Sequence, residues 1–149
     1  MTDQICVAID GMGGDKAPHM IIGGVNRVAH THRNVKFLIF GDEAKIGPLL
    51  EEFPSIQPRC EVRHTADAVS NDDKPTTALR TAKNSSMRLA IDAVANGEAS
   101  AIVSAGNTGA LMAMATIVLK TLPGISRPAI ATSFPTQNGD CVMLDLGAN

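Results

Sequence analysis

The sequence predicts an α/β fold: a three-layer α/β/α sandwich on a mainly parallel sheet, with a β-hairpin near its C-terminal end. Three observations carry this. Short apolar, β-branched runs alternate with stretches of helical spacing through residue 122. Such alternation implies βα units and a sheet covered on both faces. Asn138-Gly139 then sits between two further apolar runs, a strong short-range hairpin signal.

Each element has its own justification. ICVAID (5–10) is a strand ending at Asp10, and APHMIIGGVNRVAHTH (17–32) has helical spacing, with Pro18 where a first turn tolerates it. VKFLIFG (35–41) is a strand. DEAKIGPLLEEF (42–53) is a helix with acidic residues in its first turn, as the dipole favours, and Pro48 predicts a kink or two pieces. CEVRHT (60–65) is a weaker alternating strand, followed by a loop over 66–75. TTALRTAKNSSMRLAIDAVANG (76–97) is helical in two parts and closes at Gly97. SAIVSAG (100–106) is a strand, and GALMAMATIVLKTL (109–122) reads as a buried core helix, shorter than the roughly 20 apolar residues a membrane span needs. AIATSFP and CVMLDLG flank the hairpin turn.

Composition narrows the function. The 149 residues suffice for one α/β domain over 1–149 with a real core. Aromatics are 3% of residues, so stacking platforms for single-stranded bases are lacking. Net charge is −2 and no run of Lys or Arg exceeds two residues, which argues against nucleic acid as a partner. Cys6, Cys60 and Cys141 have no short spacing and read as buried, reduced thiols of a cytosolic protein. The first residues carry no secretory signal pattern.

Three segments put Gly, Asp, Asn, Ser or Thr just after a strand or at a helix start, where chemistry can concentrate. In parallel sheets, ligands sit beyond the carboxyl ends of the strands. The first junction is DGMGGDKAP (10–18), whose glycines let a ligand approach the main chain. The dinucleotide-binding pattern fails there, because Lys16 occupies the third required glycine position, although Asp42 stands where a ribose-binding acid could sit. KNSSMRLA (83–90) is the second. One Ser or Asn there is an ordinary helix cap, and the surplus hydroxyls suit an oxyanion. The third is SAGNTG (104–109), a strand end that opens a helix. Its unpaired N–H groups and partial positive charge fit phosphate or carboxylate, with Asn107 and Thr108 adding uncharged donors.

Other candidates are weaker. His30 and His32, two apart on a helix, point to different sides and cannot share a metal; they suit the helix C-terminus. His19 and His64 stand alone, and Asp72 and Asp73 read as solvated loop residues. Arg127 reads as a surface arginine within reach of an anion near the sheet edge. No Cys/His cluster suggests zinc.

Taken together, AIDGMGGDKAP, KNSSM, SAGNTGALMA, GISRPAIA and LDLGAN resemble, in order and spacing, the PlsX family of acyl-ACP:phosphate acyltransferases. The resemblance runs from about residue 5 to residue 149, with Gly11 in place of the alanine common in the first motif, a change a turn tolerates. Members are roughly twice as long, so the chain resembles their N-terminal part. The resemblance implies a fold similar to isocitrate/isopropylmalate dehydrogenases and a homodimer. It implies phosphate attack on the thioester of a long-chain acyl-ACP, giving acyl phosphate for phosphatidic acid synthesis. It also implies cytoplasmic placement, peripheral at the inner face of the bacterial membrane, and no cofactor.

By carry-over, phosphate or acyl-phosphate contacts fall to Asn84, Ser85, Ser86, Ser104, Gly106, Asn107 and Thr108. Asp10, Gly13 and Gly14 line the cleft, and Asp145 and Asn149 close it. The family's acid, base or oxyanion groups fall beyond Asn149, so this chain alone is expected to bind phosphate weakly and turn over poorly. The alternatives are an NAD-dependent dehydrogenase of the same superfold and a noncatalytic phosphate-binding module.

Overall fold

The computed structural model describes residues 4–145. Four strands form one parallel sheet in the order β3-β2-β1-β4: β1 (Ile5–Asp10), β2 (Val35–Gly41), β3 (Cys60–His64) and β4 (Ala101–Val103). Strand alternation sorts their side chains into two cores. Ile9, Phe37 and Ile39 pack against Ile22, Val25 and Ala29 of α1 (His19–Thr31) and Ile46 and Leu50 of α2 (Glu43–Glu51). Ala8, Leu38 and Phe40 face the other way, onto Ala90 and Ala93 of α4 (Ser86–Ala95). A third cluster joins Ala78 of α3 (Pro75–Thr81), Met87 and Ile91 of α4, and Ala110 and Met114 of α5 (Thr108–Val118). The α/β/α layering thus follows from which strand residues are odd and which are even. Burying a side chain such as Ile39, with no exposed surface, contributes about 1.5–3 kcal/mol.

The chain groups into two compact units, meeting between Leu119 and Lys120. The second contains the antiparallel hairpin of β5 (Ala131–Thr136) and β6 (Gly139–Leu144), paired from Ala131↔Leu144 to Thr136↔Gly139. The hairpin turn falls on Gln137 and Asn138, one residue before the expected Asn138-Gly139 pair, and Gly139, with φ +122°, opens β6 opposite Thr136. Every hairpin strand residue is exposed.

Several expectations need correction. Pro48 lies inside a single continuous α2, at the expense of one backbone hydrogen bond. Asp42 caps that helix, accepting from Ala44 N–H at 3.1 Å, rather than standing free as a ribose ligand. His64 also serves α2: its Nδ1 accepts the Glu43 N–H at 3.2 Å. The α5 helix is not a buried core helix. Only Ala110 and Met114 are buried, because it packs on one side against α3 and α4, and Ile117 is 58% exposed. The cysteines do lie on strands, yet Cys6 and Cys60 are half-buried and Cys141 is exposed.

Gly11 shows no slack for the alanine that the resemblance allows. A Cβ there would meet the Phe40 carbonyl oxygen at 2.8 Å and Ile46 Cδ1 at 2.9 Å. The same Phe40 oxygen accepts the Gly11 N–H at 2.8 Å, so the turn is drawn tightly against β2.

Candidate functional site

Register explains how the first and third junctions meet. β1 and β4 are neighbours, with Ile9 opposite Val103. One step further along each chain are Asp10 and Ser104. Asp10 shares the face of Ala8, which α4 covers, so its carboxyl group also meets the first residue of α4. The result is a three-way junction: Ser86 Oγ donates to Asp10 Oδ1 at 2.6 Å, and Ser104 Oγ donates to Asp10 Oδ2 at 2.7 Å. Met12 N–H adds a longer bond to Oδ1 at 3.3 Å. Asp10 is 1% exposed and has no cationic partner among these contacts. Two hydroxyls and one amide replace its hydration, the condition under which a buried carboxylate is tolerated.

Glycines let the loops close on this group. A Cβ on Gly13 would collide with Asp10 Oδ2 and come within 2.9 Å of Ser104 Oγ. Gly14 takes φ +102°, with the Ala105 carbonyl oxygen 2.9 Å from where its Cβ would stand. A Cβ on Gly106 would lie 3.2 Å from Gly13 Cα. The main chains of the first and third junctions are therefore in near contact, which larger residues would prevent.

The remaining predicted residues divide by what their side chains already do. Ser85 is buried and acts as the α4 N-cap: it accepts from Arg88 N–H at 3.3 Å and donates to the Ala82 carbonyl at 2.8 Å. Ser86 N–H is bonded to the Asp67 carbonyl at 2.9 Å. Asn107 is the α5 N-cap, its Oδ1 accepting from Ala110 N–H at 2.9 Å. Its Nδ2 donates to carbonyls of Ser70, Asn71 and Asp73 at 3.3, 3.1 and 2.8 Å. Ser104 Oγ is half-buried and accepts Gly106 N–H at 3.1 Å. Asn84 and Thr108 are exposed. Asp145 belongs to the second unit, where it pairs with Arg127 at 3.3 Å. Asn149 lies outside the described residues.

Sequence reasoning missed the residues that hold the corner from the 65–73 side. Thr65 Oγ1 donates to the Asn84 carbonyl at 2.6 Å and accepts Asp67 N–H at 3.2 Å. Asn71 Nδ2 reaches Asp15 Oδ1 at 2.6 Å, tying the 65–73 loop to the glycine-rich turn. No short-range pattern marks them, since their partners are 19 and 56 residues away.

Fold and corner together define an α/β protein whose strand-end loops converge on one buried carboxylate. Comparison with known proteins then narrows the class. The model of a family described as fatty acid synthesis protein matches residues 5–149. Three relatives bear the name phosphate acyltransferase. That of Rhodospirillum centenum is 60% identical over the whole chain and 42% of its own length. That of Rhodospirillum rubrum is 53% identical over the whole chain and 43% of its own length. That of Paramagnetospirillum magneticum is 53% identical, again over the whole chain and 42% of its own length. The chain spans about two fifths of the length of these curated relatives. It belongs to the fatty acid synthesis protein family, the one its PlsX-like motifs indicated.

Proposed function

We propose that the full-length protein carrying this chain transfers a long-chain fatty acyl group from acyl-ACP to inorganic phosphate, giving acyl phosphate for phospholipid synthesis. The observation that carries this reading is the convergence of Asp10, Ser86 and Ser104 at the carboxyl ends of β1 and β4. The relatives' shared name supplies the reaction class. In the reaction a phosphate oxygen attacks the thioester carbonyl carbon. The C–S bond then breaks and ACP leaves as its thiol once the sulfur has gained a proton. Phosphate is already an anion, so it needs placement more than activation. The developing oxyanion on the carbonyl needs donors of its own. Those, with any acid or base, we place in the part of the full-length protein outside this chain.

Within the chain we assign phosphate or acyl-phosphate contact to Asn84, Ser104, Gly106 and Thr108. Ser85, Ser86 and Asn107 serve the same site by shaping it, because their polar groups are committed to the caps and bonds above. Asp10, Gly13 and Gly14 form the floor of the cleft. The two units belong to one catalytic domain in this reading; the hairpin, exposed along both strands, has no core of its own. A homodimer with a dehydrogenase-like superfold, cytoplasmic and peripheral at the inner face of the bacterial membrane, completes the proposal and rests on the family resemblance.

The test is direct: full-length protein with palmitoyl-ACP and phosphate should yield acyl phosphate and free ACP in equal amounts. Release of ACP with free fatty acid alone would mean a hydrolase, and the reading would fail.

A further inference from the structure

One face of β4 is covered and the other is bare. Ile102 is half-buried against the clusters built on α4 and α5. Ala101 and Val103 point the opposite way. Their partners in register, Val7 and Ile9, pack on that side into the cluster of α1 and α2, yet Val103 is 55% exposed. On the flank of α1, Met20 and Val28 are 47% and 43% exposed. Helix and strands border an apolar groove of about 390 Å³, whose lining includes Val7, Ile9, Met20, Val28, Val103 and Ala105. His32 is the only polar side chain among its lining residues. The outer edge of β4 is open as well, since β1 is its one strand neighbour among the described residues.

We propose, independently of the reaction proposed above, that the full-length protein covers this groove with its own sequence outside these 149 residues. A strand from that part pairs with the free edge of β4, and an apolar helix joined to it fills the groove beside α1. Parallel sheets are covered on both faces, and an open apolar edge strand exposes unpaired backbone groups. One βα unit meets both needs. The chain spans about two fifths of the length of its relatives, so ample sequence exists to supply it. Tethering in the same molecule gives that segment the advantage over a second copy of the chain. A hydrocarbon ligand suits the lining but offers no amides or carbonyls to the strand edge. Small-molecule sites also carry a few placed polar groups, and His32 alone does not make such a set.

The test uses the full-length protein with photo-methionine in place of methionine, isotopically light and heavy chains being refolded together. Illumination should cross-link Met20 to a peptide outside residues 1–149, both ends coming from the same isotopic pool. Links between light and heavy chains would put a second copy in the groove and overturn the proposal. So would links from Met20 confined to residues 1–149, a link to a bound fatty acid, or no link at all. Val103→Asp gives a separate readout. In the full-length protein it should lower the thermal midpoint by at least about 5 °C, because the charge is then shut away from water. An unchanged midpoint would mean that this face stays wet, and the proposal would fail. Should that variant not fold, the Met20 cross-link on the unaltered sequence decides.

Discussion

Replacing Asp10 by Ala should be among the most damaging single changes in the first unit. The substitution deletes the acceptor of two hydroxyl protons and one amide. Ser86 is 1% exposed, so its orphaned hydroxyl cannot turn to water, and an unsatisfied buried donor costs about 1–3 kcal/mol. Ser104 is half-buried and recovers part of its loss from solvent, while the 3.3 Å bond from Met12 contributes little. Removing a buried charge returns some desolvation cost. The sum is about 2–4 kcal/mol of lost stability, a large part of an ordinary domain's total. Urea unfolding followed by circular dichroism at pH 7 measures it. A double-mutant cycle sharpens the result. Ser86→Ala alone strips the carboxylate of one hydroxyl, whereas Asp10→Ala with Ser86→Ala leaves neither partner unpaired. The double variant should therefore be less destabilised than the sum of the singles by about 1–2 kcal/mol. Additivity within about 0.3 kcal/mol, or a loss below about 0.5 kcal/mol for Asp10→Ala, would refute the reasoning.

Asn107→Ala should cost about 1 kcal/mol for the lost helix cap and also free the 70–73 loop, so amide exchange there should speed up. Unchanged exchange at Ser70–Asp73 would argue against the clamp. Gly11→Ala should destabilise by about 1–3 kcal/mol because its Cβ meets the Phe40 carbonyl, and a neutral result in the same urea assay would show that β2 can yield. Burial pushes the Cys60 thiol up to about 11 from its ordinary 9.0, with the Arg59 charge opposing. The folded chain therefore holds that proton longer than the unfolded chain, and stability should fall as pH rises from 9 towards 11. In Cys60→Ala this part of the pH slope should vanish; an identical slope in both proteins would assign it to other groups.

Local signals were legible because they depend on neighbours in the chain. Short apolar, β-branched runs matched β1 and β2 to the residue, and Asn138-Gly139 located the hairpin, although its turn falls one residue earlier, on Gln137 and Asn138, with Gly139 already paired to Thr136. The caps at Ser85 and Asn107 were visible as small polar residues before apolar helices. Asp42 was misjudged although its partner is local: it caps its own helix through Ala44 N–H, two residues on. Other errors arose where a role depends on distant partners. The α5 stretch is apolar all round, which signals burial, yet only the contacts made by Met87, Ile91 and Ala78 decide which side is covered.

The candidate site divides along the same line. By itself the chain of letters determined that three glycine- or hydroxyl-rich corners stand just after a strand or at a helix start, because backbone sterics and periodicity are short-range. Only the tertiary structure decided that Asp10, 76 residues from Ser86 and 94 from Ser104, takes the protons of both. Hydrogen-bond direction depends on which groups are brought together and shut away from water. That is set by the order β2-β1-β4 and by α4 lying over the Ala8 face, and no local pattern encodes either.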